Sequence, residues 1–294
     1  MWAALLLLLP CAAAKLEIPT KEIAPGVHMP MASIGTWTVA TKRSDLNISA
    51  IVGSWLDLGG RGIDTAYIYF DQAEIAEVLQ TRGVDRKELF ITSKIPGCLG
   101  KAATRYFVEY DLKKLKTAYL DLLLIHLPGL PGPLGGCNDT WSVLEDYVGK
   151  GVLRSIGVSN WGPKQFEALK YKIRPAVNQV QFNVFTHDDA TEEYCKARGI
   201  NLEAWAPLGD PARTHRSVFT NPTVKTIASK HNVSAARVAL RWIVQKGHLL
   251  TFLSSKREHQ ADDADLFSFS LEEGDMSQLD QLSRKAAEGS LLVV

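Results

Sequence analysis

Four side chains that can hold or move a proton lie at or near the ends of three strand-length runs of residues. Asp64 ends a short run that starts at Arg61, and Tyr69 follows five residues later. Lys94 follows the run 89–93, and His126 follows the run 122–125. The carboxyl ends of the strands of a parallel barrel meet at one face, where active sites lie. We therefore expect these four side chains to be neighbours in space.

Together, these side chains could protonate a carbonyl group that is being reduced. A tyrosine phenol has an unperturbed pKa near ~10, and a nearby ammonium lowers that pKa. Lys94 could act on Tyr69 in this way, and Asp64 could hold Lys94 in place. His126 could donate a hydrogen bond that orients the carbonyl oxygen. Since no side chain can donate a hydride, a nicotinamide cofactor would have to supply it.

The pattern of apolar residues predicts alternating strands and helices. Residues 16–30 contain a Pro25-Gly26 turn and are predicted to form a hairpin. Strands are predicted at 32–37, 61–64, 89–94, 120–126, 151–160, 177–184, 200–207 and 248–255, and helices at 45–58, 74–79, 105–119, 140–150, 163–171, 188–198, 234–246, 258–266 and 271–282. The simplest α/β architecture is a single (β/α)8 TIM barrel with an N-terminal β-hairpin over residues 15–294. A doubly wound sheet is the alternative, but Gly35-Thr36-Trp37 is not its glycine-rich phosphate loop.

The bulk composition is that of an ordinary globular protein. The chain has 294 residues, 46% of them hydrophobic and 22% charged, and its net charge is +1. This charge balance gives no sign of a nucleic-acid partner or of binding to a membrane surface. We expect a small molecule as the partner and a monomer as the assembly.

The first 14 residues differ from the rest because they are apolar throughout. They end in Ala12-Ala13-Ala14, which is typical of a signal-peptide cleavage site, and they are too short to span a bilayer as a helix. They carry no Lys or Arg, so an apolar tail or an uncleaved anchor is the alternative. A signal peptide predicts the secretory pathway, either the endoplasmic reticulum lumen or the exterior, with no membrane-spanning segment in the mature chain. The alternative location is the cytoplasm.

Three cysteines remain after residue 14, so at least one of them has no partner within the chain. Cys98 and Cys137 follow two strands whose loops would share a face of the barrel. An oxidising compartment would allow a bridge between these two, and three free thiols are the alternative. No metal site is predicted, because the histidines show no metal-ligand spacing; those considered are His187, His215, His231 and His248.

Seven short motifs together resemble the aldo-keto reductase family. They occur in the order and spacing of that family from about residue 16 to residue 285, and no single one is decisive. The motifs are Gly35-Thr36-Trp37, Asp64-Thr65-Ala66 with Tyr69, Ile91-Thr92-Ser93-Lys94, Asp121-Leu122-Leu123-Leu124-Ile125-His126, Gly157-Val158-Ser159-Asn160, Asn178-Gln179-Val180-Gln181 and Ala204-Trp205-Ala206-Pro207-Leu208-Gly209. The resemblance implies a single barrel that reduces aldehydes and ketones with NADPH.

The resemblance also implies a role for individual residues. Tyr69 would be the proton donor, Lys94 and Asp64 would tune its pKa, and His126 would position the substrate. Residues that match the nicotinamide-binding positions of the family are Ser159, Asn160 and Gln181, with Trp205 as the stacking ring and with Gly35, Thr36, Trp37, Asp64 and Leu208 as further cofactor contacts. Trp37 and Leu127 would contact substrate beside His126.

Two departures from the family pattern affect specificity. The residue after the histidine is Leu127 rather than the frequent Trp, which predicts a wider or less aromatic pocket. The segment expected to bind the cofactor phosphate consists of Ser254, Ser255, Lys256, Arg257 and His259. His259 stands where the family has Arg, and Asp263 stands where it has Asn. NADP is favoured by the two permanent cations, and NAD stays possible.

Two other functions fit a barrel of this kind. One is a non-catalytic, cofactor-binding barrel that acts as a regulatory subunit, although the complete set of four side chains favours an enzyme. The other is a glycosidase, which needs two carboxylates at strand ends. Only Glu203 could serve as a partner for Asp64 in that reaction, so we set the glycosidase aside. For a reductase, small aldehydes or sugars are the expected substrates.

Overall fold

The computed structural model describes residues 16–37, 45–129, 136–209 and 214–290, with side chains in the last helix described as far as Ser283. The signal peptide predicted at residues 1–14 lies outside these ranges. Within them, no helix is both long enough and apolar enough to cross a membrane.

Eight parallel strands close into a barrel, and two antiparallel strands precede it. The strands are β1 Thr20–Ala24, β2 Val27–Pro30, β3 Ala32–Gly35, β4 Gly62–Asp64, β5 Phe90–Ile95, β6 Leu120–Ile125, β7 Leu153–Ser159, β8 Val177–Gln181, β9 Asn201–Trp205 and β10 Leu249–Phe252. The barrel order is β10-β3-β4-β5-β6-β7-β8-β9, and β1 pairs with β2 as a separate hairpin. The predicted TIM barrel with an N-terminal hairpin is confirmed.

The hairpin closes the end of the barrel where the strands begin. Ile23 and Met29 belong to a buried apolar cluster with Phe90, Leu122 and Leu249. Phe90 and Leu249 are the first residues of β5 and β10. The cluster therefore fills the amino-terminal half of the barrel interior, and the other end stays available for a site.

The helices form an outer layer around the strands. They are α1 Ile48–Leu58, α2 Gln72–Arg82, α3 Gly100–Lys114, α4 Cys137–Gly149, α5 Pro163–Ala168, α6 Asp189–Ala197, α7 Pro222–His231, α8 Ala235–Gln245, α9 Arg257–Ala264 and α10 Glu273–Ser290. Trp55, Trp141 and Trp242 are fully buried in the core between helices and strands. They lie on α1, α4 and α8, among the buried residues of those helices.

Helix α7 is absent from the prediction because its apolar signal is weak. Only Val224, Ile227 and Ala228 are buried among its residues. Its start is nevertheless well specified, since the Asn221 side chain accepts a hydrogen bond from Val224 N at 3.1 Å and Pro222 occupies the first turn. A cap and a proline therefore mark a helix that hydrophobic periodicity alone misses.

A disulfide ties the loop before α3 to the start of α4. It joins Cys98 to Cys137, and Cys195 is a free, buried thiol. Beside the bridge, Gly100 N donates a hydrogen bond to Thr140 Oγ1 at 3.0 Å. Next to this contact, α3 begins at Gly100, whereas the sequence predicts a start at residue 105. Of the two alternatives for the cysteines, the structure has the bridge.

The hairpin packing leads to a stability prediction. Met29→Ala should lower the free energy of unfolding by about 2–5 kcal/mol, because it leaves a cavity in a buried apolar cluster. His28→Ala is the matched control, since His28 is the exposed neighbour of Met29 on β2. Urea denaturation of both variants gives the comparison. Equal losses would show that the hairpin does not anchor the barrel interior.

Candidate active site

A buried ion pair lies at the centre of the site. Lys94 Nζ donates a hydrogen bond to Asp64 Oδ1 at 2.6 Å and a second one to the Thr65 carbonyl oxygen at 3.0 Å. Lys94 is 0% exposed and Asp64 is 3% exposed. The pair joins the adjacent strands β4 and β5, where Asp64 stands opposite Thr92. The sequence prediction that Asp64 holds Lys94 therefore corresponds to a direct contact.

Tyr69 lies over this ion pair. It ends a short 3-10 turn, Tyr67–Tyr69, just after β4. Its ring centroid is 5.1 Å from Lys94 Nζ, and Trp37 stacks on its ring with centroids 5.3 Å apart. His126, just after β6, meets Tyr69 edge-on at a centroid distance of 5.7 Å. The structure thus brings together the four side chains that the sequence places at strand ends.

The net pKa of Tyr69 is raised, although Lys94 acts on it in the expected direction. Burial raises the pKa of the phenol above its ordinary value, and the Asp64 carboxylate adds to this rise. The charge of Lys94 and its hydrogen bond lower the pKa, as expected, but by less than burial raises it. Tyr69 is consequently protonated at neutral pH, with the ammonium placed to stabilise a phenolate.

The Lys94 ammonium stays charged although it is buried. Burial alone lowers the pKa of Lys94, but the charge of Asp64, followed by that of Tyr69, raises it further than burial lowers it. The net pKa lies above the ordinary lysine value. The site therefore contains a permanent positive charge in a water-excluded position, where its field acts strongly on its neighbours.

His126 is the neutral member of the set. Burial, and then the charge of Lys94, lower the pKa of its imidazole to about 3. Its Nδ1 atom has no hydrogen-bond partner among the described residues. A neutral imidazole can donate a hydrogen bond to a carbonyl oxygen without giving up a proton.

Gln179 links Asp64 to a second carboxyl group. Its Nε2 atom donates hydrogen bonds to Asp64 Oδ2 and to Glu203 Oε2, each at 2.8 Å. Burial, and then the charge of Asp64, raise the pKa of Glu203 to about 8. Glu203 is fully buried and does not line the cavity, so it cannot provide the second carboxylate that a glycosidase needs.

Tyr69 and His126 open into a cavity of about 390 Å³ at the carboxyl ends of the strands. The predicted site residues that line it are Gly35, Trp37, Asp64, Tyr69, His126, Leu127, Ser159, Asn160, Trp205 and Leu208. Thr36 does not line it, and its hydroxyl donates instead to the Asp64 carbonyl oxygen at 3.3 Å. Lys94 lies behind Tyr69 rather than in the wall.

The two glutamines of β8 differ in their position. Gln181 does not line the cavity, whereas Gln179 does. Gln179 stands opposite Ser159 of β7 in the barrel register. Side chains two residues apart on a strand point to the same face, so the strand pattern alone does not distinguish the two. Ile68 and Phe252 also line the cavity without having been predicted. The sequence offered a signal for both residues, because Ile68 directly precedes Tyr69 and Phe252 ends β10.

Hydrogen bonds connect Ser159, Asn160 and Trp205 in the wall of the cavity. Asn160 Nδ2 donates to the His126 carbonyl oxygen and to Ser159 Oγ, each at 3.0 Å. Its Oδ1 accepts from Trp205 Nε1 at 2.9 Å. Asn160 has a φ of 62°, a left-handed conformation that asparagine tolerates better than most residues. These bonds fix the Trp205 indole as a flat surface of the cavity.

The predicted phosphate segment continues from this cavity. Leu253 is in the wall, and the basic side chains of Lys256, Arg257 and His259 are exposed just beyond it, at the start of α9. Ser254 is buried and Ser255 is exposed. A helix start with cations on it suits an anion.

The acidic departure in this segment is less unfavourable than its charge suggests. Asp263 is 5% exposed, and burial, followed by the charge of Asp262, raises the pKa of its carboxyl to about 7. It therefore carries only part of a negative charge at neutral pH. The repulsion expected between Asp263 and a phosphate is reduced accordingly.

One group within the described ranges has metal-ligating side chains close together. His231, Glu272 and Asp275 offer ligand atoms within 4.8 Å of one another. Lys230 Nζ contacts Glu272 at 2.9 Å and Asp275 at 3.0 Å. The ammonium supplies the positive charge that balances these carboxylates, and the group is best described as a salt-bridge cluster.

Comparison with known proteins finds similarity in both sequence and fold. The family model for the Aldo/keto reductase family matches residues 33–284. The chain is 36% identical over 275 residues to a glyoxal reductase of Bacillus subtilis, covering 92% of this chain and 95% of that protein. It is 33% identical over 276 residues to a morphine 6-dehydrogenase of Pseudomonas putida, covering 90% and 91%. A silkworm aldo-keto reductase crystallised with NADPH superimposes with a TM-score of 0.84 at 26% identity, covering 91% and 88%.

The buried ion pair leads to a second stability prediction. Asp64→Asn should lower the free energy of unfolding by about 3–5 kcal/mol, because it leaves the Lys94 charge buried without its counter-ion. Asp57→Asn breaks the exposed pair with Arg82 and should cost about 0–1 kcal/mol. Guanidinium denaturation at neutral pH measures both. A small loss for Asp64→Asn would mean that Lys94 is held by other contacts.

Proposed function

Because the chain belongs to the aldo/keto reductase family, we propose that it reduces aldehydes and ketones to alcohols with NADPH. One observation carries the proposal. The Tyr69 phenol and the His126 imidazole line one cavity, and the buried Lys94–Asp64 pair lies directly behind the phenol. This is the arrangement of charges that favours proton transfer to a carbonyl oxygen.

The four side chains divide the proton chemistry between them. His126, being neutral, donates a hydrogen bond that orients the carbonyl oxygen toward Tyr69. Tyr69 then gives its proton to that oxygen. The phenolate left behind is stabilised by the Lys94 ammonium, whose position is fixed by Asp64. The raised pKa of Tyr69 keeps the proton available at neutral pH until a substrate is present.

The residues present fit a nicotinamide cofactor, which when bound supplies the hydride. Trp205 offers a fixed flat face on which a ring can stack. Ser159, Asn160 and Gln179 line the same wall, with Gln179 in the place first expected for Gln181. The N–H and O–H groups of these three side chains already donate to acceptors within the protein. They would therefore contact a carboxamide through their oxygen atoms, as hydrogen-bond acceptors.

The phosphate segment supports NADPH over NADH. Lys256 and Arg257 carry positive charges at the start of α9, and the exposed imidazole of His259 follows in the first turn. The partial neutralisation of Asp263 removes part of the opposing charge. A 2′-phosphate would gain from these cations, whereas NADH has no group that uses them.

The cavity supports small, uncharged carbonyl substrates. Its outer wall includes the exposed apolar side chains Trp37, Ile68 and Leu127. Leu127 is 51% exposed and leaves the pocket open at that side. We therefore propose that the enzyme has broad specificity and that its substrates are small aldehydes or sugars. We also propose that it acts as a monomer.

The disulfide supports the secretory pathway as the location. Bridges such as Cys98–Cys137 form in oxidising compartments. The apolar, Ala-rich start of the chain is the corresponding targeting segment. We propose removal of residues 1–14 and residence in the endoplasmic reticulum lumen or outside the cell, with the cytoplasm as the alternative.

Tyr69→Phe tests the function. The parent should oxidise NADPH in the presence of small aldehydes, with NADH less effective, and the variant should lose about 10²–10⁴-fold in kcat because it lacks the proton donor. NADPH should still quench the tryptophan fluorescence of the variant. The matched control is Tyr67→Phe, whose ring packs on Phe107 and Tyr110 outside the cavity and whose loss should leave turnover in place.

Other outcomes of this experiment have distinct meanings. A parent that binds NADPH but reduces no carbonyl compound would favour the regulatory-subunit alternative. A parent that binds neither cofactor would refute the proposed function. A tight preference for one bulky ketone would refute the small-substrate proposal while leaving the chemistry intact.

Processing of the N-terminus tests the location. The full chain, expressed in a eukaryotic cell with a C-terminal tag, should be recovered from the secretory fractions without residues 1–14. Mass spectrometry of non-reduced peptides should find Cys98 linked to Cys137 and Cys195 as a free thiol. Recovery of the uncleaved chain from the cytosol, with all thiols reduced, would overturn both expectations.

A further inference from the structure

Glu203 is a buried carboxyl group that the proposed chemistry does not yet use. It lies on β9, is 0% exposed and shares the Gln179 amide with Asp64. Both N–H bonds of that amide are therefore used to hold two carboxyl groups close together. Since Asp64 holds Lys94 and Lys94 lies against Tyr69, Glu203 is the last member of a continuous chain of contacts from the proton donor.

The surroundings of Glu203 disfavour a second negative charge. Its Oε1 atom is buried and has no hydrogen-bond partner among the described residues. A buried carboxylate oxygen without a hydrogen bond is costly, and a neutral carboxylic acid is much less so.

We propose that Glu203 is a positioning residue for the proton-donor site, and that it is a neutral acid while the enzyme is active. As a hydrogen-bond acceptor it fixes Gln179, and Gln179 in turn fixes Asp64 against Lys94. As a neutral group it adds no negative charge near Tyr69, so that Asp64 is the one carboxylate in this chain of contacts that offsets the positive charge of Lys94. The inference rests on the proposed function, because Tyr69 is the group that it affects.

The charges that face Glu203 can be assigned strand by strand. Asp64 of β4 and Lys94 of β5 face it from across the barrel, and the neighbouring β8 contributes the uncharged Gln179. The other neighbour, β10, carries no acidic or basic side chain. With Glu203 neutral, the Asp64 and Lys94 charges cancel. With Glu203 ionised, the cluster has one net negative charge, which opposes phenolate formation at Tyr69.

This charge change has a defined pH window. Burial, and then Asp64, raise the pKa of Glu203 to about 8, whereas the unfolded chain has an ordinary glutamate. The folded chain thus keeps a proton that the unfolded chain loses near pH ~4.3. The stability due to that proton is complete below the unfolded pKa and is lost as the pH rises to about 8. Above about 8, the ionised Glu203 also makes Tyr69 a weaker acid.

The decisive variant is Glu203→Gln, which keeps the shape but cannot ionise. In the parent, kcat for aldehyde reduction with saturating NADPH should fall about three- to tenfold as Glu203 ionises, since the phenol pKa changes by up to about one unit. Glu203→Gln should lack this step, while KM changes little. Glu203→Leu, which cannot hold Gln179, should lower kcat at every pH.

A second readout does not depend on activity. Infrared difference spectra recorded between about pH 6 and about pH 9 should contain a carboxylic-acid band in the parent, and Glu203→Gln should remove its part of that band. The parts due to Asp111 and Asp263, whose pKa burial raises to about 7, should stay. Glu192→Gln is the matched control. The Glu192 carboxylate, on α6, contacts His248 just before β10, and Glu192 does not line the cavity. This variant should keep both the parent pH profile and the parent band.

The outcomes separate the two proposals. If the parent reduces no aldehyde, the proposed function fails. If the parent is active but Glu203→Gln has the same pH profile and the same carboxylic-acid band, the positioning role of Glu203 is wrong. A Glu203→Gln variant that loses its part of the band but keeps the alkaline step would likewise overturn the link from Glu203 to Tyr69.

Discussion

The contact between Lys94 and Asp64 is the interaction on which the rest of the site depends. An ammonium that is 0% exposed has lost its hydration, and only a close counter-ion with further hydrogen bonds makes that burial tolerable. Asp64 at 2.6 Å and the Thr65 carbonyl oxygen at 3.0 Å supply those contacts. Because β4 and β5 are hydrogen-bonded neighbours, the pair is as rigid as the barrel wall. After burial, the Lys94 charge of this pair is the largest influence on the pKa of Tyr69 and on that of His126.

The barrel interior is divided into an apolar half and a polar half. The hairpin and the cluster around Met29 and Leu122 fill the end where the strands begin. Above them lie the Lys94–Asp64 pair, Gln179 and Glu203, in a region that water does not reach. The exclusion of water disfavours a further charge in this half, which explains why the pKa of His126 falls to about 3 while that of Tyr69 rises.

The sequence predicts the barrel and the four central side chains well because both depend on local patterns. Strand-length runs that end in a titratable residue identify Asp64, Lys94 and His126 without any knowledge of packing. Helix α7 is not predicted, because its apolar residues are few and its start is marked only by a cap and a proline. The difference between Gln179 and Gln181 is also not predicted, because side chains two residues apart on a strand point to the same face. Which of them lines the cavity depends on the position of each along the closed barrel.

By itself, the sequence determined which residues could do chemistry, their order along the chain and the alternation that makes a barrel. These are properties of residue type and spacing, and they need no distances. Only the tertiary structure decided that Cys98 meets Cys137, that burial outweighs Lys94 at Tyr69, and that Glu203 shares an amide with Asp64. Each of these depends on how far apart two groups are and how much water is left between them, and those quantities exist only after the strands have closed into the barrel.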